Sequence, residues 1–179
     1  DMKSFLPGAL EAVKLDGKTW GIPLSSGNHL MLLYNKDLVK EPPKDTAELV
    51  QVAKELTKGD VVGFAYNMTE PFWLVPWLGG FGGKVFDDAG NPTLNTDAMK
   101  KTLQLLYDFK NTDKITPQEC DYGCADTLFK DGKAAMIING DWSLGDYVTA
   151  LGDKLGTAPI PKITGADWPK PYTSGIYFM

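Results

Sequence analysis

Strand-length apolar runs alternating with amphipathic helical stretches assign this chain to the α/β class, a central sheet flanked by helices, with residues 1–179 read as a single domain. Three observations carry that reading. The runs His29-Leu-Met-Leu-Leu-Tyr34 and Lys133-Ala-Ala-Met-Ile-Ile138 have the length and continuity of strands buried on both faces. The segments between them space their apolar residues at helical period and open with capping residues. A chain of 179 residues with 43% hydrophobic and 23% charged residues can bury one core, and no repeat, low-complexity run or Gly/Ser linker marks an internal boundary.

Taken in order, Trp20-Gly-Ile-Pro23 is a short extended piece, and the His29–Tyr34 strand leaves through Asn35-Lys-Asp37. Asp45 followed by Glu48 predicts a capped helix to Lys58, stopped by Gly59, with Leu49, Val52, Ala53 and Leu56 as its inward stripe. Val61-Val-Gly-Phe64 is the next strand. Asn67-Met-Thr-Glu-Pro-Phe-Trp73 leads into a helix through Leu78, broken by Gly79-Gly80 and Gly82-Gly83. Asp87-Asp-Ala-Gly90 is a tight turn, and Thr96 caps a helix whose Met99, Leu103, Leu106 and Tyr107 share one face. Ala125, Leu128 and Phe129 mark a short helix ended by Gly132. The Lys133–Ile138 strand then turns through Asn139-Gly-Asp-Trp142 into a further helix, Pro159-Ile-Pro161 ends an extended piece, and Ser174-Gly-Ile-Tyr-Phe178 is the last strand.

Composition narrows the partners. A net charge of −5 without Lys/Arg clusters argues against nucleic acid, polyanions or an anionic membrane surface, and no stretch approaches the roughly 18 apolar residues of a membrane span. His29 is the single histidine, and Cys120 and Cys124 offer no second ligand pair, so we expect neither metal nor cofactor. The two cysteines read either as plain thiols or as a short disulfide loop, the latter fitting an oxidising compartment. Asn67-Met-Thr69 satisfies a glycosylation triplet of the kind that arises by chance.

Four motifs stand in a telling order: Asp16-Gly-Lys-Thr-Trp-Gly-Ile-Pro23, Leu33-Tyr-Asn-Lys-Asp37, Phe129-Lys-Asp-Gly-Lys-Ala-Ala-Met136 and Asn139-Gly-Asp-Trp142. With them the chain, from about Leu15 to its end, resembles the extracellular solute-binding proteins of family 1, the capture subunits of ABC importers. Within that family it is most similar to the maltose and maltodextrin binders. The resemblance implies one lobe of a type II periplasmic-binding-protein fold, with hinge crossovers near residues 24–32 and 172–179. The implied partners are an oligosaccharide, the first lobe and an ABC permease. On this reading the chain is the second, ligand-gripping lobe, without the first lobe, the usual C-terminal helices or an export signal, and its location is the periplasm or the cell surface as a lipoprotein.

A sugar ring needs flat aromatics for its C–H faces and carboxylates or amides for its hydroxyls. The chain has five Trp, seven Tyr and eight Phe. The resemblance places Glu70, Pro71, Phe72, Tyr122 and Trp142 at sugar contacts, with Glu70 accepting hydroxyl hydrogen bonds. The family pattern has tyrosine where Phe72 stands, so any contact through that hydroxyl is lost here. Trp73 is assigned to the core. Trp142 earns its place independently, since it follows a strand's carboxyl end, where open α/β sheets bind ligands. Asn28 is a further polar candidate near the hinge, and His29 a structural hinge residue. Two other functions compete: a carbohydrate hydrolase using Glu70 and Asp121 as its carboxylate pair, and a sensory or engineered recognition module. The chain carries none of the common catalytic fingerprints, so we read it as a non-enzyme that closes over its ligand by hinge rotation. An uncovered cleft would also leave an aromatic patch open to self-association.

Overall fold

The structure, a computed structural model, describes residues 4–178. Helix α1 (Pro7–Glu11) precedes a hairpin of β1 (Lys14–Leu15) and β2 (Lys18–Thr19), then β3 (Ile22–Gly27) and β4 (Leu30–Asn35). Next come α2 (Thr46–Leu56), β5 (Val62–Ala65), α3 (Pro71–Gly80), α4 (Asp97–Tyr107), α5 (Tyr122–Lys130) and β6 (Ala134–Gly140). The chain finishes with α6 (Leu144–Leu151), β7 (Leu155–Ala158) and β8 (Ser174–Phe178).

The central sheet runs β5-β6-β4-β7, with β5 parallel to β6 and β4 antiparallel to both β6 and β7. Successive side chains of a strand point to opposite faces, so each buried strand feeds two cores. Leu32, Phe64, Met136 and Ile138 join Leu49, Trp73 and Trp77 on one side. Leu33, Ala65 and Ile137 join Ala125, Phe129 and Tyr147 on the other. The sheet is therefore covered by α2 and α3 on one face and by α5 and α6 on the other, which is why its strands read as unbroken apolar runs.

Local chemistry sets the element ends. Asp45 caps α2 by accepting from the Glu48 amide at 3.0 Å, and Glu48 reaches back to the Lys44 amide at 2.8 Å. The helix stops at Leu56, two residues before the expected Lys58, because Thr57 turns extended and its hydroxyl donates to the Ala53 carbonyl at 2.7 Å. Helix α3 runs through Gly79-Gly80 rather than breaking there. Both glycines lie where a Cβ would meet Lys170 or Ile163 of the returning chain, so they serve close packing, and the left-handed turn falls at Gly82. A hairpin the strand pattern did not show turns at Asp16 and Gly17, both at positive φ.

The face of α4 predicted from Met99, Leu103, Leu106 and Tyr107 divides. Thr102 is the fully buried residue, while Leu103 and Tyr107 are 52% and 58% exposed along an open groove. The helix continues into a π-turn, Asp108–Thr112, whose wider step brings Phe109 into the core. Strands β3 and β8 pair as a separate antiparallel ribbon that leaves Ile22, Leu24, Ile176 and Phe178 exposed.

Helix α2 and β5 touch backbone to backbone: a Cβ on Gly63 would overlap the Ala53 carbonyl, and the Gly63 amide donates to the Thr57 hydroxyl at 2.9 Å. Gly63→Ala should therefore lower stability by about 2 kcal/mol, read as a drop in the urea midpoint. An unchanged midpoint would show that this contact yields freely.

Candidate functional site

Topology gathers the site on one edge of the sheet. Because β5 and β6 are parallel, both release their carboxyl ends there, and antiparallel β4 begins at the same edge, with Leu30 opposite Gly140. Three segments converge: Asn28-His29 entering β4, Tyr66–Pro71 leaving β5, and Asp141–Ser143 leaving β6 as a 3-10 turn. The amino end of α5 brings Tyr122 beside them.

Trp73 organises an aromatic cluster. It is 4% exposed, its indole N–H donates to the Ile138 carbonyl at 3.1 Å, and its ring centroid lies 5.4, 5.7 and 6.3 Å from those of Phe72, Tyr122 and Trp142. Phe72 and Trp142 are 6.1 Å apart. These spacings suit edge-to-face and tilted aromatic pairs. Trp142 is 43% exposed and is oriented by its N–H, which donates to the Tyr122 hydroxyl at 3.1 Å. That hydroxyl also bonds the buried Ser143 hydroxyl at 3.1 Å. The Trp142 ring lies over Gly140, where any side chain would overlap it.

The strand ends are held rigidly. Tyr66 donates to the Trp73 carbonyl and accepts from the Trp77 indole at 2.7 Å, clamping α3 onto the end of β5. Burial pushes the Tyr66 phenol well above its ordinary pKa, so it stays protonated and able to donate. At the end of β6, Asn139 accepts from the Gly140 amide at 2.8 Å and donates to Tyr147 at 2.6 Å, and Tyr147 donates to Asp126 at 2.9 Å. Burial raises the Tyr147 phenol in the same way.

The five predicted site residues divide between two surfaces. Phe72, Tyr122 and Trp142 come together as a wall. Glu70 and Pro71, immediately before Phe72 in sequence, border a groove of about 480 Å³ with Leu106 and Tyr107. Glu70 is exposed and sits at the N-cap of α3 without using its side chain there. Its loop is shaped by Asn67, whose side-chain oxygen accepts from the Thr69 amide at 3.1 Å and the Glu70 amide at 3.3 Å. Trp73 is in the core, as assigned.

Asp121 caps α5 by accepting from the Cys124 amide at 2.9 Å, and Cys120 and Cys124 form a disulfide. Asn28, at φ +60, gives its side-chain amide to Ser174, and its backbone N–H donates to Asp141 at 3.1 Å. His29 Nδ1 meets the other Asp141 oxygen at 2.9 Å. These two residues thus tie the start of β4 to β8 and to the turn carrying Trp142, away from the aromatic wall. Sequence reasoning missed Ser143, Asp141 and Gly140 as supports of that wall. A glycine two residues before an exposed tryptophan was the available signal for Gly140; the other two reveal themselves only through contacts distant in sequence.

A family model described as bacterial extracellular solute-binding protein matches residues 1–177. The maltotriose-binding protein of Pyrococcus abyssi is 30% identical over 185 residues, covering 99% of this chain and 40% of the relative. Maltodextrin-binding protein MdxE of Bacillus subtilis is 33% identical, covering 97% and 44%. Among solved structures, the maltose/maltodextrin-binding domain MalE from Bdellovibrio bacteriovorus bound to maltotriose superposes with a TM-score of 0.89 at 43% identity, covering 97% of this chain and 47% of that one. The Thermus thermophilus maltotriose binding protein bound with maltotriose gives 0.85 at 36% identity, covering 96% and 47%. The chain spans about two fifths of the length of these curated relatives and just under half of the solved ones.

Tyr122→Phe removes the acceptor for Trp142 and a partner of buried Ser143. It should cost roughly 1 kcal/mol of stability and shift tryptophan emission. If neither the unfolding midpoint nor the emission changes, the hydroxyl does not hold the wall.

Proposed function

The chain belongs to the bacterial extracellular solute-binding proteins, and on that premise we propose that its aromatic wall is one side of a malto-oligosaccharide site. Phe72, Tyr122 and Trp142 offer their rings to the C–H faces of the sugar, and Glu70, next to Pro71, accepts hydrogen bonds from its hydroxyls. One observation carries the reading: a tryptophan at the sheet's carboxyl edge stays 43% exposed while its N–H is fixed by Tyr122, so a flat apolar face is held ready in water. A side chain serving only the core would be covered. The names of the Pyrococcus abyssi and Bacillus subtilis relatives and the maltotriose bound in both structural neighbours support this ligand class.

The proposal extends to the whole protein. There the wall belongs to the second lobe of an extracytoplasmic receptor, in the periplasm or on the cell surface as a lipoprotein, delivering sugar to an ABC permease. On this reading the β3–β8 ribbon and the Asn28–Asp141 junction serve as its hinge crossovers, and closure brings the first lobe over the sugar. The role is capture without chemistry. Asp121 of the carboxylate pair considered for hydrolysis serves as the α5 cap, a structural use of that group.

This chain presents one wall, so its own affinity for maltotriose is expected on the order of millimolar. Titration with maltotriose, glucose and trehalose, followed by tryptophan fluorescence, should show saturable quenching by maltotriose that disappears in Trp142→Ala. No response to maltotriose at concentrations on the order of tens of millimolar, or quenching that survives in Trp142→Ala, would overturn the proposal.

A further inference from the structure

We infer that the Cys120–Cys124 disulfide positions the binding wall, so that sugar affinity follows the redox state of this pair; the inference rests on the sugar-wall reading above. The bridge closes a loop containing only Asp121, Tyr122 and Gly123, and Tyr122 is the residue whose hydroxyl orients Trp142 and bonds Ser143. Within the loop, Asp121 caps α5 through the Cys124 amide, so cap and cross-link act on the same turn. Cys120 is 1% exposed in the core beneath α5. Its carbonyl accepts from the Met68 amide at 3.0 Å, which hangs the Asn67–Glu70 loop on the same anchor. One cross-link thereby sets both the ring of Tyr122 and the backbone that carries Glu70.

The rest of α5 is anchored downstream of this turn, by Ala125 and Phe129 in the core and by Asp126, which accepts from Tyr147. Tyr122 packs against the core beside Trp73, and its hydroxyl bonds Trp142 and Ser143, whose turn leaves β6 independently. Cys124 is partly buried at the edge of the same core and so is the less enclosed partner for a thiol reagent. A dithiol reductant transfers two electrons and two protons: the sulfur–sulfur bond breaks, Cys120 and Cys124 become thiols, and the reductant leaves as its own disulfide. Oxidation runs the exchange backwards. In an oxidising extracytoplasmic setting the bridged, well-ordered wall is the resident form.

The test compares maltotriose titrations of the oxidised chain, the chain reduced with dithiothreitol and the Cys120→Ser/Cys124→Ser variant, each at a temperature where far-UV circular dichroism shows it folded. Reduction and the double substitution should each weaken binding about fivefold to tenfold, and reoxidation of the wild-type chain should restore it. The Trp142 indole N–H resonance of the ligand-free chain, assigned by its loss in Trp142→Ala, should move on reduction as Tyr122 releases it. A bridge that only stabilises would lower the melting midpoint and leave both affinity and resonance unchanged, and that result would overturn the inference. Absence of maltotriose binding by the oxidised chain would sink the sugar reading instead, and positioning would then stand or fall on the indole resonance alone.

Discussion

Burial of all seven residues of β6 is the constraint from which the arrangement follows. A strand sealed on both faces must satisfy its amides and carbonyls on both edges, which it does by pairing with β5 in parallel and β4 in antiparallel. Those two pairings bring the end of β5, the end of β6 and the start of β4 to one edge. Helices on both faces close the remaining routes to solvent, so the chain leaving β6 at Gly140 emerges beside the end of β5 and the start of β4. Trp142 stands two residues beyond that exit. Its exposure is thus a consequence of the topology, and its orientation a consequence of Tyr122.

The polar groups near this edge have structural duties that keep the aromatic surface fixed. Asn139, Tyr147 and Asp126 form a hydrogen-bonded chain from the end of β6 into α6 and α5. Lys130 closes it by bridging Asp146 and Asp126, whose hydrogen bonds raise its pKa and keep it charged. Asp141 grips the start of β4, and Tyr66 grips α3. On the proposed reading, a face of rigid aromatics would lose little freedom when a sugar docks. The inferred role of the Cys120–Cys124 bridge fits the same logic, since its loop contains the ring that orients Trp142.

Much of this was legible in advance because it rests on local rules. Buried strands announce themselves as unbroken apolar runs, and Asp45 and Thr96 cap helices with side chains adjacent in sequence, whereas the Asp121 cap of α5 emerges only from the structure. The place of Trp142 at the sheet's edge was legible for the same reason, since it stands just past a strand end. Departures arose where a distant partner decides the outcome. Gly79 and Gly80 look like helix breakers until Lys170 and Ile163 are seen packed against them. Leu103 and Tyr107 repeat at core spacing, yet the π-turn after Tyr107 assigns the core position to Phe109. Glu70 and Phe72 are two residues apart, but the start of α3 between them sends one to the groove and the other to the wall.

The aromatic wall, of which Trp142 is the exposed ring, is proposed as a sugar platform. The most direct measurement is a proton–nitrogen correlation spectrum of the chain, following the five tryptophan indole N–H resonances as maltotriose is added. Trp142 should shift most and Trp73 behind it less, while Trp168 and buried Trp77 stay in place. Shifts centred on Trp168 or Trp20, or no shift at Trp142 when binding is detected by other means, would contradict the proposal.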